Sequence, residues 1–141
     1  MANDANDFVR SMGIATSGLR AQAGRMRVIS ENIANADSTA PTAGGDPYRR
    51  KVPSFSSALN RTLDAKVVTL GKIRPDRTAF RIKHEPGNPA ADAAGDVKYP
   101  NVNPLVEMTD MREAQRSYEA NLNIISATRR MIQRTLDILK A

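Results

Sequence analysis

Prolines are absent from both ends of this 141-residue chain and concentrated in its middle. All 8 of them lie between Pro41 and Pro104. Proline removes a backbone donor and breaks an α-helix from within, so the middle cannot hold a long helix, whereas the two ends can. The sequence therefore predicts two long terminal helices around an irregular, turn-rich segment.

The N-terminal end carries apolar residues at alternating steps of four and three, the a/d spacing of a coiled coil. Gln22 is the one polar member of this seam, whose apolar members are Phe8, Met12, Ala15, Leu19, Met26, Ile29 and Ile33. Asp37-Ser38-Thr39 and then Pro41 favour a turn. We therefore expect the first helix to end near Asn35.

A second heptad seam runs through the C-terminal end, with polar interruptions at Gln115 and Arg129. Its other members are Met108, Met111, Tyr118, Leu122, Ile125, Ile132, Leu136 and Leu139. A parallel row of apolar residues (Ile124, Met131, Ile138) widens the apolar face, which predicts contacts with more than one neighbour. Asn103-Pro104 supplies an N-cap and a proline for the first helical position, with Glu107 in the first turn.

The middle segment consists of turn clusters between short elements. Phe55, Leu59 and Leu63 are spaced four apart, which predicts a short helix. Alternating or β-branched runs predict strands at 66–70, 79–83 and 96–99. We expect a mainly α fold in which long N- and C-terminal helices pair as a coiled coil. Its parts are a helix over 1–36, an irregular middle with a short helix and short β-strands over 37–104, and a helix over 105–141.

Three glycines, Gly13, Gly18 and Gly24, interrupt the predicted N-terminal helix. Each costs about 1 kcal/mol relative to alanine in a helix interior. Two interpretations stay open: the glycines are tolerated at the surface, or they let neighbouring helices pack closely against this one.

Several chemical functions lack the residues they need. The chain has no cysteine, which excludes disulfides, thiolate metal sites and cysteine nucleophiles. His84 is the only histidine and stands beside Glu85 in a Pro/Gly-rich turn, where we expect an exposed loop. No nucleophile elbow, P-loop or dinucleotide-binding motif occurs. We expect no catalytic, cofactor-binding or metal site.

The chain is basic, with 21 Lys and Arg against 15 Asp and Glu. The excess lies mainly in the middle, where Arg49-Arg50-Lys51 is the densest run. Nucleic-acid binding would be supported by a basic stripe with interleaved aromatic residues, but the basic residues are dispersed and aromatic residues are only 4% of the chain. A protein surface that is either solvated or complements acidic groups is the favoured interpretation. The N-terminus shows no pattern of a cleaved secretory signal, and no run approaches the length of a membrane span.

Four blocks of the chain carry a resemblance to a known family. The segment from Ser17 to Thr39, with the core Asn32-Ile33-Ala34-Asn35-Ala36, resembles the N-terminal motif of bacterial flagellar axial proteins, the subunits of rod, hook and filament junction. The blocks Gly44–Phe55, His84–Met108 and Ser117–Ala141 are similar to those of basal-body rod proteins within that family.

The resemblance implies a structural subunit, not an enzyme, of the proximal rod, the tubular drive shaft that crosses the periplasm and transmits torque. It implies export through the flagellar type III apparatus without a cleaved signal peptide. The implied partners are copies of itself in a helical assembly, other rod subunits and the rod–membrane-ring adaptor, with no nucleic acid and no membrane insertion. Two alternatives stay open: a basic coiled-coil protein that binds nucleic acid, and a different flagellar axial subunit.

The resemblance also implies an assembly interface in which the two seams pack against each other around a central channel. The seam residues concerned are Phe8, Met12, Leu19, Met26, Ile29 and Ile33 in the first helix, and Tyr118, Leu122, Ile125, Ile132, Leu136 and Leu139 in the second. Asn32 and Asn35 would satisfy backbone groups at the turn out of the first helix. Neighbouring subunits would be faced by Tyr48, Arg49, Arg50 and Lys51, and by the region from Phe80 to Tyr99.

Overall fold

The chain begins and ends with a long helix, and six short strands lie between the two helices in sequence. The computed structural model describes the backbone of residues 2–140 and the side chains of residues 6–138. Helix α1 spans Ala2–Ala34 and helix α2 spans Pro104–Lys140. The strands are β1 Lys51–Val52, β2 Phe55–Asn60, β3 Ala65–Leu70, β4 Arg74–Pro75, β5 Arg81–His84 and β6 Asp96–Tyr99. The predicted arrangement of two terminal helices around a small β-containing middle is confirmed.

The strands form three separate antiparallel pairs, β1 with β4, β2 with β3, and β5 with β6. The strands predicted at 66–70, 79–83 and 96–99 are confirmed as β3, β5 and β6, each within two residues of the expected bounds.

The predicted short helix over Phe55, Leu59 and Leu63 is wrong, because Phe55–Asn60 forms strand β2. A spacing of four also places Phe55 and Leu59 on one face of a strand, where side chains alternate with period two. The turn decides between the two structures. Asn60 Oδ1 accepts hydrogen bonds from the backbone N–H groups of Thr62 (3.0 Å) and Leu63 (3.2 Å), and Asp64 adopts a left-handed conformation with φ of 46°. Both features close a hairpin.

The helix ends follow the predicted caps. Asn103 Oδ1 accepts a hydrogen bond from the Leu105 backbone N–H (3.1 Å), one residue after Pro104 opens α2. At the end of α1, the Glu31 carbonyl accepts hydrogen bonds from both the backbone N–H (3.2 Å) and the side-chain Nδ2 (2.8 Å) of Asn35. The amide side chain therefore adds a second hydrogen bond to a carbonyl at the last turn of the helix.

The chain divides into two compact units, and both helices contribute to each. Unit 1 comprises Met1–Met26, Phe55–Lys72 and Glu113–Ala141, whereas unit 2 comprises Arg27–Ser54 and Ile73–Arg112. In unit 1 the helices run antiparallel, since Arg25 Nη2 lies 3.6 Å from Glu113 Oε2 and Gly18 faces Asn121. The buried side chains of this unit are small: Ala15, Ala21, Ala114 and Thr128.

The β2–β3 hairpin of unit 1 packs on helix α1 through two of its glycines. A Cβ at Gly24 would lie 2.6 Å from Leu70 Cδ2, and one at Gly13 would collide with Leu63. The Arg10 guanidinium holds the hairpin turn by donating to the Leu63 carbonyl (3.0 Å) and to the Asp64 carboxylate (3.1 Å). Close packing is therefore correct for Gly13 and Gly24, but the element packed there is the chain's own hairpin and not a neighbouring helix; Gly18 faces Asn121 of α2.

Unit 2 is built around the end of α1, the β5–β6 hairpin and the start of α2. Its apolar interior consists of Val28, Ile29, Ala36, Ala40, Ala90, Val97, Tyr99 and Val102. The Arg81 guanidinium connects parts of this unit by donating to the carbonyls of Ala36 (2.8 Å) and Pro100 (3.0 Å). Gly95, with φ of 82°, provides the tight turn into β6. Within the described residues, neither helix has a stretch both long and apolar enough to cross a membrane.

Substitution of Gly24 by leucine is expected to detach the hairpin from α1. Helix propensity alone would make leucine better than glycine by about 1 kcal/mol, but the new side chain would occupy the position of Leu70, and overpacking costs about 1–3 kcal/mol. Hydrogen exchange should become faster at the β2–β3 amides. The matched control is Gly87→Leu, because the position of its Cβ is open. Unchanged exchange in the hairpin of Gly24→Leu would contradict this packing.

Candidate functional site

The most buried polar side chain of α1 is Asn32, which is 1% exposed in unit 2. Its Oδ1 accepts hydrogen bonds from the Lys51 backbone N–H (2.9 Å) and the Tyr48 hydroxyl (2.8 Å). Its Nδ2 donates to the Lys51 carbonyl (2.9 Å) and to Glu107 Oε2 (3.0 Å). The amide therefore uses both donors and both acceptor positions, as a buried amide must if it is not to destabilise the fold.

Glu107 carries a carboxylate that is also only 1% exposed. It lies in the first turn of α2, where the helix dipole stabilises a negative charge. Its Oε1 accepts a 2.6 Å hydrogen bond from Arg50 Nε, while Oε2 accepts the bond from Asn32. This carboxylate thus joins a residue of α1 to one next to β1, and we call Asn32, Tyr48, Arg50 and Glu107 together the Asn32–Glu107 network.

The cation of this network is Arg50, whose side chain is three-quarters buried. Beyond Glu107, its guanidinium lies 3.4 Å from Asp76 Oδ2 and 3.8 Å from Asp110 Oδ2. Burial opposes the charged guanidinium, but the hydrogen bonds and charges of Glu107 and Asp76 outweigh it and raise the pKa of Arg50. The Arg50 backbone is held too, because its N–H donates to Asn101 Oδ1 (2.9 Å).

Two neighbours of the network also have displaced pKa values. Burial raises the pKa of Tyr48, with the charge of Lys51 acting in the opposite direction. The hydrogen bond from the Thr78 backbone N–H (2.9 Å), followed by those from the Thr78 and Arg50 side chains, lowers the pKa of Asp76 despite partial burial. Asp76 therefore stays ionised and Tyr48 stays protonated at neutral pH, so the Tyr48 hydroxyl can donate its hydrogen bond to Asn32 Oδ1.

In the Asn32–Glu107 network, both atoms of the Asn32 amide and both oxygens of the Glu107 carboxylate have hydrogen-bond partners. The network contains no hydroxyl nucleophile beside a free base, the arrangement that covalent catalysis requires. Over residues 2–140, no group of three or more His, Cys, Asp or Glu residues is placed to hold a metal ion. His84 lies exposed on strand β5, with Nδ1 2.9 Å from Asp96 Oδ1. What the network can do is lock α1, β1 and the start of α2 together.

The structure brings some of the predicted interface residues together. Asn32, Tyr48 and Arg50 meet in one network, and Asn35 caps the end of α1. Asn32 was expected at the turn out of the first helix, but its backbone partner is Lys51, 19 residues away. Arg49 lies elsewhere, with its guanidinium 4.0 Å above the Phe80 ring.

The predicted seam residues differ in exposure. Ile29 is buried, Leu122 and Leu136 are exposed, and the side chain of Leu139 lies outside the described residues. The remaining seam residues are half-buried: Phe8, Met12, Leu19, Met26, Ile33, Tyr118, Ile125 and Ile132.

Sequence reasoning missed three members of the site. Glu107 was recognised only as an acid in the first turn of a helix, and Asp76 and Asn101 were not recognised. A glutamate three residues after a proline at N1 is an ordinary helix signal. Nothing in its spacing distinguishes a buried network carboxylate from an exposed one.

Two family models match the two helical regions of the chain. A model described as flagella basal body rod protein matches residues 12–40, and one described as flagellar basal body rod FlgEFG protein C-terminal matches residues 93–138. The matched segments include Asn32 and Glu107. The class is therefore that of the flagellar basal-body rod proteins.

Curated relatives narrow the class further. The flagellar basal-body rod protein FlgC of Agrobacterium fabrum is 54% identical over 128 residues, which cover 91% of this chain and 92% of that protein. The proteins of the same name from Bacillus subtilis and Aquifex aeolicus are 40% and 38% identical, and cover 92% and 95% of this chain and 97% and 98% of their own lengths. The chain belongs to the FlgC family of flagellar basal-body rod proteins.

Substitution of Glu107 by glutamine is expected to destabilise unit 2. Glutamine keeps the size of the side chain but leaves Arg50 without its closest anion, and hydrogen bonds to charged groups contribute about 1.5–3 kcal/mol. The free energy of unfolding in urea should fall by about that amount. The control is Glu119→Gln, which removes an exposed carboxylate of the same helix. Equal unfolding midpoints for the two variants would refute the role of the network.

Acid is expected to weaken the fold partly through Asp76. Because the folded-state pKa of this carboxylate lies below its usual range, the folded protein binds fewer protons than the unfolded chain. The contribution is complete above about pH 4 and is lost as the pH falls through the folded-state pKa. Asp76→Asn should therefore show a shallower loss of stability below pH 4 than the unsubstituted chain, measured by urea unfolding at several pH values. Parallel curves would contradict this assignment.

Proposed function

We propose that this chain is a structural subunit of the proximal flagellar rod, without a catalytic role, and that it assembles through its terminal helices. The observation that carries the proposal is the distribution of apolar side chains on α2. The helix exposes eight large ones, namely Leu105, Val106, Met108, Leu122, Ile124, Met131, Leu136 and Ile138. Exposed apolar surface on this scale marks an interaction site.

The packing within unit 1 supports this proposal. The fully buried side chains of this unit are alanine and threonine, whereas five large apolar side chains of α2 are exposed in it: Leu122, Ile124, Met131, Leu136 and Ile138. Burial of one such side chain contributes about 1.5–3 kcal/mol, so several of them on one helix favour association strongly. We propose that they pack against helices of neighbouring rod subunits.

The geometry of a rod fits such a surface. Contacts between two different surfaces of successive subunits do not close and so build a helical array. We propose that the two seams contribute to a coiled-coil layer around a central channel, with Phe8, Met12, Leu19, Met26, Ile29 and Ile33 on one side and Tyr118, Leu122, Ile125, Ile132, Leu136 and Leu139 on the other. The loops of unit 2, including Tyr48 and Arg49, then face neighbouring subunits.

The partners that we propose for this chain follow from its proposed position in the proximal rod. We propose contacts with copies of this chain, with other rod subunits and with the adaptor between rod and membrane ring, and transport to the periplasmic rod by the flagellar type III apparatus. Torque transmission requires subunits that do not deform, and the Asn32–Glu107 network ties α1 and α2 together within unit 2.

Substitution of Leu122 by aspartate is expected to leave the protein folded and abolish rod assembly. Leu122 is 42% exposed, so a charge there costs the isolated chain little, but it would be buried against a neighbour in the rod. Thermal unfolding should change little, while swimming in soft agar should be lost and basal bodies should lack a complete rod.

The matched control for this experiment is Asn123→Asp, which adds the same charge at the next, exposed position without removing an apolar group. We expect that strain to swim. A fully motile strain that carries Leu122→Asp would refute this packing.

A further inference from the structure

The Arg49-Arg50-Lys51 run has two different surroundings in unit 2. Arg50 enters the Asn32–Glu107 network, whereas the residues on either side of it line an open groove. The alternation arises because successive side chains of an extended chain point in opposite directions. The groove has a volume of about 560 Å³ and also contains Arg27 and Arg74.

The groove has a surplus of positive charge. Four cations line it, Arg27, Arg49, Lys51 and Arg74, against the single carboxylate of Glu31. Glu31 is already paired with Lys51, at 3.0 Å between Oε2 and Nζ. Within the described residues, the side chains of Arg27 and Arg74 have no hydrogen bond or ion pair. Tyr48 and Ile73 add apolar surface beside these charges.

Three carboxylates lie in the same unit, on or beside the connection between β5 and β6, and that of Asp96 is paired with His84 (2.9 Å between Oδ1 and Nδ1). Residues 85–96, which we call the acidic loop, contain Glu85, Asp92 and Asp96 and no Lys or Arg. The loop is held in shape by backbone hydrogen bonds from Asn88 to Glu85 (3.0 Å) and from Gly95 to Asp92 (3.0 Å). Asp92, Ala93 and Ala94 are exposed at its end.

We propose that the basic groove of one copy receives the acidic loop of a second copy in the rod. This inference rests on the proposed function and names one of its contacts. Within the described residues, no ion pair joins the groove cations to the loop carboxylates. A contact between two different surfaces of the same unit is heterologous, so it propagates from copy to copy as a helical array requires.

The charges of the groove distinguish this occupant from a nucleic acid. Phosphate contacts need a stripe of cations that follows the strand, whereas the four cations here line one groove. A compact loop with the exposed Asp92 at its end requires only a local surplus of positive charge.

The absence of cysteine makes this contact testable in assembled rods. One copy would carry Arg74→Cys and a second copy Ala93→Cys, both expressed in a strain without the native chain. Treatment of isolated basal bodies with a short bis-maleimide should give a dimer that contains one copy of each kind. The control pair, Arg74→Cys with Arg130→Cys, places the second cysteine on α2 and should give no dimer.

The outcomes are distinct. If the cells swim and the first pair gives no dimer, the proposed contact is wrong while the rod function stands. A product that joins the Arg74→Cys copy to a different rod protein also overturns the choice of a second copy. If the unsubstituted chain, expressed in the same strain, does not enter basal bodies, the proposed function fails.

Charge reversal provides a second readout on the same pair. Adding Arg27→Glu to the Arg74→Cys copy should lower the yield of dimer about tenfold, since like charges across an interface weaken it. Adding Ala94→Lys to the Ala93→Cys copy should then restore the yield, whereas Arg130→Glu should leave it unchanged. Failure of Ala94→Lys to restore the dimer would contradict a contact based on charge complementarity.

Discussion

Unit 2 depends on the pairing between the Asn32 amide and the Lys51 backbone. Strands β1 and β4 are two residues each, too short to form a stable ladder on their own. Asn32 offers Oδ1 to the Lys51 N–H and Nδ2 to the Lys51 carbonyl, so a helix side chain takes the place of a neighbouring strand. Glu107 then binds the same amide from α2. One asparagine thereby fixes the positions of three elements.

The polar network also explains how a chain with little aromatic side-chain volume can have a defined interior. Only 4% of its residues are aromatic, and its buried apolar side chains are mainly alanine and valine. Such a core provides modest hydrophobic stabilisation and few constraints of shape. Directional hydrogen bonds among Asn32, Arg50 and Glu107 impose a single arrangement instead. Large apolar side chains of α2 remain exposed, and this is the surface that we propose for contacts with neighbouring rod subunits.

The helices were predictable from the sequence because the proline distribution and the Asn103 cap act locally. Strand β2 was not predictable, since a spacing of four suits both a helix and one face of a strand, and the deciding interactions are in the Asn60–Asp64 turn. Asn32 entered the candidate site only through its family motif. Its partners are 19 and 75 residues away in the chain, and hydrogen bonds over such separations leave no periodic pattern. Glu107 and Asp76 could be placed only by the fold.

The basic run at 49–51 shows why net charge predicts so little about partners. Of its three cations, Arg50 is neutralised inside unit 2 by Glu107 and Asp76, Lys51 is paired with Glu31, and Arg49 lies over Phe80. The positive charge that can attract another molecule therefore comes largely from Arg27 and Arg74, which are distant from the run in sequence. Because the network holds Arg50, it also holds residues 49 and 51 of the extended chain on the groove side. The polar interior of unit 2 therefore determines on which side of the chain the cations next to Arg50 lie.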